Sequence, residues 1–207
     1  MTRILLVRHG HVPGISPERF RGRADLPLTQ EGRRQAELTA RRLSVAWQPV
    51  AIYCSPLSRC RDTGAAIVRP FSLTPIPLAG LVDTDYGQWQ GLTPEEARSR
   101  WPQEVDVWYR TPDQAKIPGG ETLHEVRARV AADLDAVCVK HPADTIIMVG
   151  HDSVNRVILL HALGTSLAHY WRLRQSPCAI NELEWGQGGF VIVSMNQTDH
   201  LRDADTT

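Results

Sequence analysis

The chain has 207 residues, 42% hydrophobic and 22% charged, and its 23 basic and 23 acidic side chains balance to a formal net charge of zero. That length suits one medium domain, or a core with a small insertion, able to bury a core without disulfides or a structural metal. Zero net charge argues against nucleic acid or an anionic membrane as the main partner. Lys116 and Lys140 are the only lysines, so the basic charge is almost all arginine and each arginine must be judged by position. Cys54, Cys60, Cys138 and Cys178 are scattered without zinc-type spacing and read as small buried thiols of a reducing compartment. The opening MTRILLVRHG is interrupted by charge too soon for a signal-peptide core or a membrane span, so the expected location is cytoplasmic.

In chain order, Ile4-Leu5-Leu6-Val7 is a continuous apolar run, as in a strand covered on both faces. A polar, glycine- and proline-bearing loop follows from Gly10 to Leu28. Thr29, with Glu31 in the first turn, predicts the N-cap of an amphipathic helix to about Val45. Val50 to Cys54 is the next strand, and a helix follows Ser55-Pro56 from about Ser58 to Val68. Leu73 to Leu78 predicts a third strand, toward an edge because of its prolines. From Leu81 to Gly120 the composition changes, with three tryptophans, several prolines and short helical fragments, as in a cap-like insertion over one end of a sheet. Thr93-Pro94-Glu95-Glu96 joins a capping box to proline at the first helical position, and Thr122 with Glu125 forms a second box opening a helix to about Lys140. Thr145 to Val149 is again a strand and Ser153 to Leu163 a helix, which Asp152 could cap if it has no chemical role. Ile180 to Glu184 and Phe190 to Met195 form two closing strands around a glycine-rich turn, and the tail after Leu201 is expected to fray. The alternation predicts a single three-layer α/β/α domain over 1–207, with a largely parallel sheet and a small helical cap at about 81–120.

In such sheets ligands gather beyond the carboxyl ends of the strands. Arg8-His9-Gly10 follows the first strand, Arg59 opens the helix after the second, and Gly150-His151-Asp152 follows the strand at 145–149. Two histidines and two arginines at equivalent strand ends suit a phosphate dianion, because guanidinium forks bind phosphate oxygens bidentately and a neutral imidazole can attack phosphorus in line. Arginines and the second histidine could neutralise the developing charge, so no metal or cofactor is called for.

These motifs carry a resemblance. Leu6-Val7-Arg8-His9-Gly10, Asp25-Leu26-Pro27-Leu28-Thr29, Ser55-Pro56-Leu57-Ser58-Arg59, Tyr86-Gly87-Gln88-Trp89-Gln90-Gly91-Leu92, Gly119-Gly120-Glu121-Thr122 and Gly150-His151 occur in the order found in the histidine phosphatase superfamily. The sequence resembles its phosphoglycerate mutase-like branch, which includes α-ribazole phosphatases and metal-independent phosphoserine phosphatases. The resemblance implies the phosphoglycerate mutase-like fold and a phosphomonoesterase acting on a small phosphorylated metabolite, with His9 as the phosphorylated nucleophile. Arg8, Arg59 and His151 would be its phosphate-binding companions. It places the acid/base carboxylate at Asp83, where the branch usually carries glutamate; Asp152, in a His-Asp pair like that of acid phosphatases, is the competing proton donor, with Asp85 behind both. Arg21 and Gly22, in a loop also holding Arg19 and Arg23, and Asp152 are the further substrate-binding candidates. His11 and Gln90 replace the glutamates usual at their positions, and Glu121 suits either orienting an arginine or starting a helix. Trp89, Trp101 and Trp108 suit core packing or an apolar lid, and His124, His141, His161, His169 and His200 fall outside the motifs. A phosphoglycerate mutase and a phospho-ligand binding protein without turnover are the competing functions, and a homodimer is left open.

Overall fold

A computed structural model describes residues 1–202 of the chain. Six strands form one sheet: β1 (Thr2–Arg8), β2 (Ala51–Cys54), β3 (Ile76–Pro77), β4 (Thr145–Gly150), β5 (Ile180–Gly186) and β6 (Gly189–Gln197). Their order is β3-β2-β4-β1-β5-β6; the first four are parallel, and β5 and β6 extend the sheet as an antiparallel pair. Helices α1 (Gln30–Ala46) and α2 (Ser58–Val68) pack together on one face, and α5 (Leu123–Lys140) and α6 (Asp152–Ala162) on the other. The period-2 alternation of a strand divides β1 between the layers. Leu5 and Val7 join Leu43, Cys60 and Ile67 of α1 and α2, while Ile4 and Leu6 join Val130, Leu134 and Val157 of α5 and α6.

The expected caps are present. Thr29 accepts from the Gly32 N–H, and both capping boxes, Thr93–Glu96 and Thr122–Glu125, are complete. One expectation needs correction, and two alternatives are resolved. Only Ile76 and Pro77 of the predicted 73–78 strand are paired, at the sheet edge, because Pro75 and Pro77 have no N–H for a ladder. The N-cap of α6 is His151, with extended backbone; Asp152 is the first helical residue and pairs with Arg156 one turn on. Of the two roles open to the tryptophans of 81–120, core packing holds: Trp89 and Trp108 are buried in the same cluster as Leu6 and Val157, with Trp101 packed against it. This segment contains α3 (Pro94–Arg100), α4 (Pro102–Arg110) and several single 3₁₀ turns. The expectation for the tail after Leu201 falls largely outside the described residues.

Two glycines fix the approach of the loop after β1 to the start of α1. A Cβ on Gly10 would meet the carbonyl oxygen of Gly32, and a Cβ on Gly32 the carbonyl oxygen of His11, both well inside van der Waals contact. Backbone on both sides leaves no flexible group to yield. Gly32→Ala is therefore expected to destabilise the fold by about 1–3 kcal/mol, read as a lower Tm and urea midpoint.

Candidate active site

Parallel pairing of β1 with β4 brings Arg8 opposite Gly150, and the His9 N–H continues the ladder to the Gly150 carbonyl at 3.0 Å. This register sets His9 and His151 side by side at two strand ends, with ring centroids 5.2 Å apart in an edge-to-face contact. His9 Nδ1 lies 2.7 Å from the carbonyl oxygen of Gly10. A carbonyl can only accept, so Nδ1 carries the proton and Nε2 is left with a lone pair. Burial, followed by the charges of His151, Arg8 and Arg59, holds the His9 pKa well below the ordinary histidine value. The ring is thus neutral, with a fixed tautomer that leaves a lone pair on Nε2.

Arg8 is buried and donates through Nη1 to the carbonyl of Gln175. Its Nε has no hydrogen-bond partner among the described residues, and burial lowers the guanidinium pKa. A buried cation with an unspent donor favours an anion.

Arg59 is fully buried at the start of α2 and ties three other segments together. Its Nε donates to His151 Nδ1 at 3.1 Å, Nη1 to the Ala24 carbonyl at 2.7 Å, and Nη2 to the Gly22 carbonyl at 2.7 Å and Asp83 Oδ2 at 3.0 Å. The positive φ of Gly22, +50°, belongs to the turn that presents this carbonyl. Accepting at Nδ1 leaves the His151 proton on Nε2, which points to Ser55 Oγ at 2.8 Å. Burial, then the neighbouring arginines, holds the His151 pKa well below the ordinary value too. Cys60 Sγ lies 3.4 Å from the same Nε2, and burial drives its thiol pKa up, which keeps it protonated.

Asp83 is buried and lies 3.5 Å from His151 Nδ1 through Oδ2. Its Oδ1 accepts from the Thr84 N–H at 2.9 Å and from the Ser153 hydroxyl. Asp152 is engaged differently: both carboxylate oxygens pair with Arg156, at 2.7 and 3.3 Å. A cleft reaches this group from outside, lined by Arg21, Gly22, Asp83, Asp152, Ser153 and Arg156 and walled by Phe20, Tyr86, Trp108, Tyr170 and Trp171. Arg156 lies over the Tyr170 and Trp171 rings, 5.2 and 5.1 Å from their centroids.

The residues expected from sequence therefore fall into two groups. Arg59, Asp83 and His151 are directly bonded or in close contact, with His9 against His151 and Arg8 preceding it. Arg21, Gly22 and Asp152 line the cleft. Of the neighbouring loop arginines, Arg19 bonds the Gly91 carbonyl and Glu96, and Arg23 pairs with Asp85 and Glu121. Glu121 also holds Arg129, so the arginines it orients are those two. His11 is bound to Thr29, and Gln90 accepts from the Arg23 N–H. Sequence reasoning missed Ser153, Thr84 and Arg156. Only Arg156 carried a readable signal, its i,i+4 spacing from Asp152.

Two buried neutral histidines make stability depend on pH. Their folded pKa values lie below the unfolded value, so the unfolded chain binds more protons as pH falls through about 6.5, and stability is lost in that direction. The expected slope approaches ~1.4 kcal/mol per pH unit for each histidine below that point. Urea midpoints at pH 7.5, 6.5 and 5.5 measure it; an unchanged midpoint would mean that neither ring is held neutral.

The fold and this cationic strand-end site belong to a phosphoryl-group enzyme of the phosphoglycerate mutase-like architecture. Residues 4–198 match the model of the histidine phosphatase superfamily (branch 1), and the chain belongs to that family. It is 30% identical over 201 residues to phosphoserine phosphatase 1 of Hydrogenobacter thermophilus, covering 97% of this chain and 95% of that one. The bifunctional protein Rv2228c of Mycobacterium tuberculosis is 31% identical over 201 residues, of which this chain spans 55% of the length. Among solved structures, Bacillus stearothermophilus YhfR superposes with a TM-score of 0.90 at 27% identity, covering 98% of this chain and 100% of that one. The protein is a phosphatase of the histidine phosphatase type. No helix among the described residues is long and apolar enough to cross a membrane.

Proposed function

We propose that the protein hydrolyses a small phosphorylated metabolite in the cytoplasm by way of a phosphohistidine on His9. The observation that carries this reading is the locked tautomer: Nδ1–H is committed to the Gly10 carbonyl, so the lone pair is on Nε2 of a neutral ring. Nε2 attacks phosphorus and the bond to the ester oxygen breaks. The leaving oxygen takes a proton from Asp83 in its acid form. Asp83, now a carboxylate, accepts a proton from water as that water's oxygen attacks phosphorus; the P–N bond breaks and inorganic phosphate leaves. Arg8 offers the phosphoryl oxygens its unspent donor, and Arg59 holds the acid and His151 in register with the nucleophile.

Asp83 is favoured over Asp152 as donor because it lies against His151, the neighbour of His9, and meets a cation through one oxygen only, whereas both oxygens of Asp152 are taken by Arg156. Asp152, Arg156, Arg21 and the aromatic wall are placed to receive the leaving group, with residues 81–120 supplying part of that wall as the cap of a single catalytic domain. The H. thermophilus relative makes phosphoserine one member of the substrate class. A panel of phosphoserine, phosphoglycerates, α-ribazole phosphate and sugar phosphates, compared by kcat/KM, identifies the preferred ester. Quenching in alkaline detergent during turnover of a ³²P-labelled substrate tests the intermediate: acid-labile, base-stable label on the wild-type protein, absent from His9→Ala, is expected. Turnover without label under single-turnover conditions would count against it.

A further inference from the structure

The hydrogen bonds on Asp83 reach further than its pairing with Arg59. Thr84 Oγ1 donates to Ser153 Oγ at 3.0 Å, and Ser153 Oγ in turn donates to Asp83 Oδ1. The Thr84 N–H donates to that same oxygen at 2.9 Å. Asp83, Thr84 and Ser153 are all buried, and Asp83 and Ser153 are neighbours on the wall of the cleft. We propose that Ser153, oriented by Thr84, is a positioning residue that fixes which oxygen of Asp83 carries the proton delivered to the leaving group.

An acid carries one proton on two oxygens and can rotate to present either. With two donors directed at Oδ1, that oxygen is held as an acceptor, and a proton placed there would collide with one of them. Oδ2 accepts a single hydrogen bond, from Arg59 Nη2, and keeps a free position, so the proton resides there, on the side of His151. Aspartate is a short side chain for reaching a leaving oxygen, so a fixed carboxylate plane matters more here than for a longer acid; a misplacement of about 1 Å can cost ~10²-fold in rate. Ser153 can fill this role because it is the second residue of α6, immediately after the residues at the end of β4 that supply His151. The hydroxyl touches the acid and not the phosphorus, so its effect is carried by proton delivery alone.

This inference rests on Asp83 being the proton donor, and the dependence of rate on the leaving group tests the two separately. Esters of acidic phenols depart without protonation, whereas alkyl phosphates need it. Ser153→Ala is expected to lower kcat/KM on an alkyl phosphate such as phosphoserine by about tenfold to a hundredfold. On p-nitrophenyl phosphate it should leave kcat/KM within about twofold, since that ratio extends only to departure of the leaving group, where proton delivery contributes little; kcat, which includes attack of water on the common phosphoenzyme, is not the readout. Thr84→Val should show the same pattern more weakly, and Thr84→Ser, which keeps the hydroxyl, should behave as wild type. In Asp83→Glu/Ser153→Ala the extra methylene occupies room freed by the serine, and alkyl phosphatase activity should return above that of Ser153→Ala. Asp83→Asn tests the underlying reading: if it lowers kcat/KM equally on both ester classes, Asp83 is not the donor. If Asp83→Asn discriminates between the esters and Ser153→Ala does not, the positioning role of Ser153 is overturned while the donor stands. An equal loss on both esters in Ser153→Ala, without rescue by the double variant, assigns the serine to structure alone and likewise overturns it.

Discussion

His9→Ala is expected to reduce phosphatase activity at least ~10³-fold and to remove the phosphoprotein, while the protein still folds and binds inorganic phosphate. No other side chain can replace the nucleophile. The His151 nitrogens are occupied by Arg59 and Ser55, and the Cys60 thiol is kept protonated by burial. Phosphate binding survives because the donor of Arg8 is untouched. The same variant has an effect on stability of the opposite kind. It removes one of the two rings that must stay neutral when buried, so the acid-side loss of stability should become shallower by about one proton, ~1.4 kcal/mol per pH unit. Isothermal titration with phosphate and urea titrations at two pH values measure both. A variant that hydrolyses alkyl phosphates at a tenth of the wild-type rate would exclude His9 as the nucleophile.

Arg59→Met is expected to be the most damaging single change in both activity and stability. It removes four hydrogen bonds, to His151, Ala24, Gly22 and Asp83, and leaves the Asp83 carboxylate buried without its cation. Breaking one half of a buried pair of this kind costs about 3–5 kcal/mol. Lysine does not rescue it, because one ammonium on a flexible stem cannot span acceptors that a planar fork meets from several sides. Arg59→Met/Asp83→Asn should recover part of the stability by removing the unpaired charge, yet remain inactive. Denaturation midpoints of the two single variants and the double give the coupling between the residues. A coupling near zero would mean that the ion pair does not hold the site together.

The features legible in the sequence were those with local causes. Apolar runs gave β1, β2 and β4; Thr29, Thr93 and Thr122 announced their helices through side-chain bonds to backbone three residues away; and the chemistry lay at the strand ends that the parallel topology brings together. What stayed hidden had its cause across the chain. Asp83 and Asp152 look alike on paper, and they separate only because one meets Arg59 from another helix while the other turns to Arg156 on its own. The Thr84–Ser153 bond joins residues 69 apart in sequence, and nothing in either neighbourhood marks it. The predicted strand at 73–78 shrank to two residues because pattern counts apolar side chains, whereas a ladder also needs N–H groups that prolines lack.

The position of β1 bears on how the chain reaches this state. β1 is, with β4, one of the two central strands of the sheet, and both its neighbours, β4 and β5, lie more than a hundred residues further on. Until residues 145–186 have been synthesised, Ile4-Leu5-Leu6-Val7 has no ladder to join, and pairing so distant in sequence is slow because a long loop must close first. The most apolar strand end of the enzyme thus waits longest for its partners. Truncated or stalled chains would expose it as an aggregation-prone edge, and His9, which follows it, meets His151 only after the C-terminal half has docked.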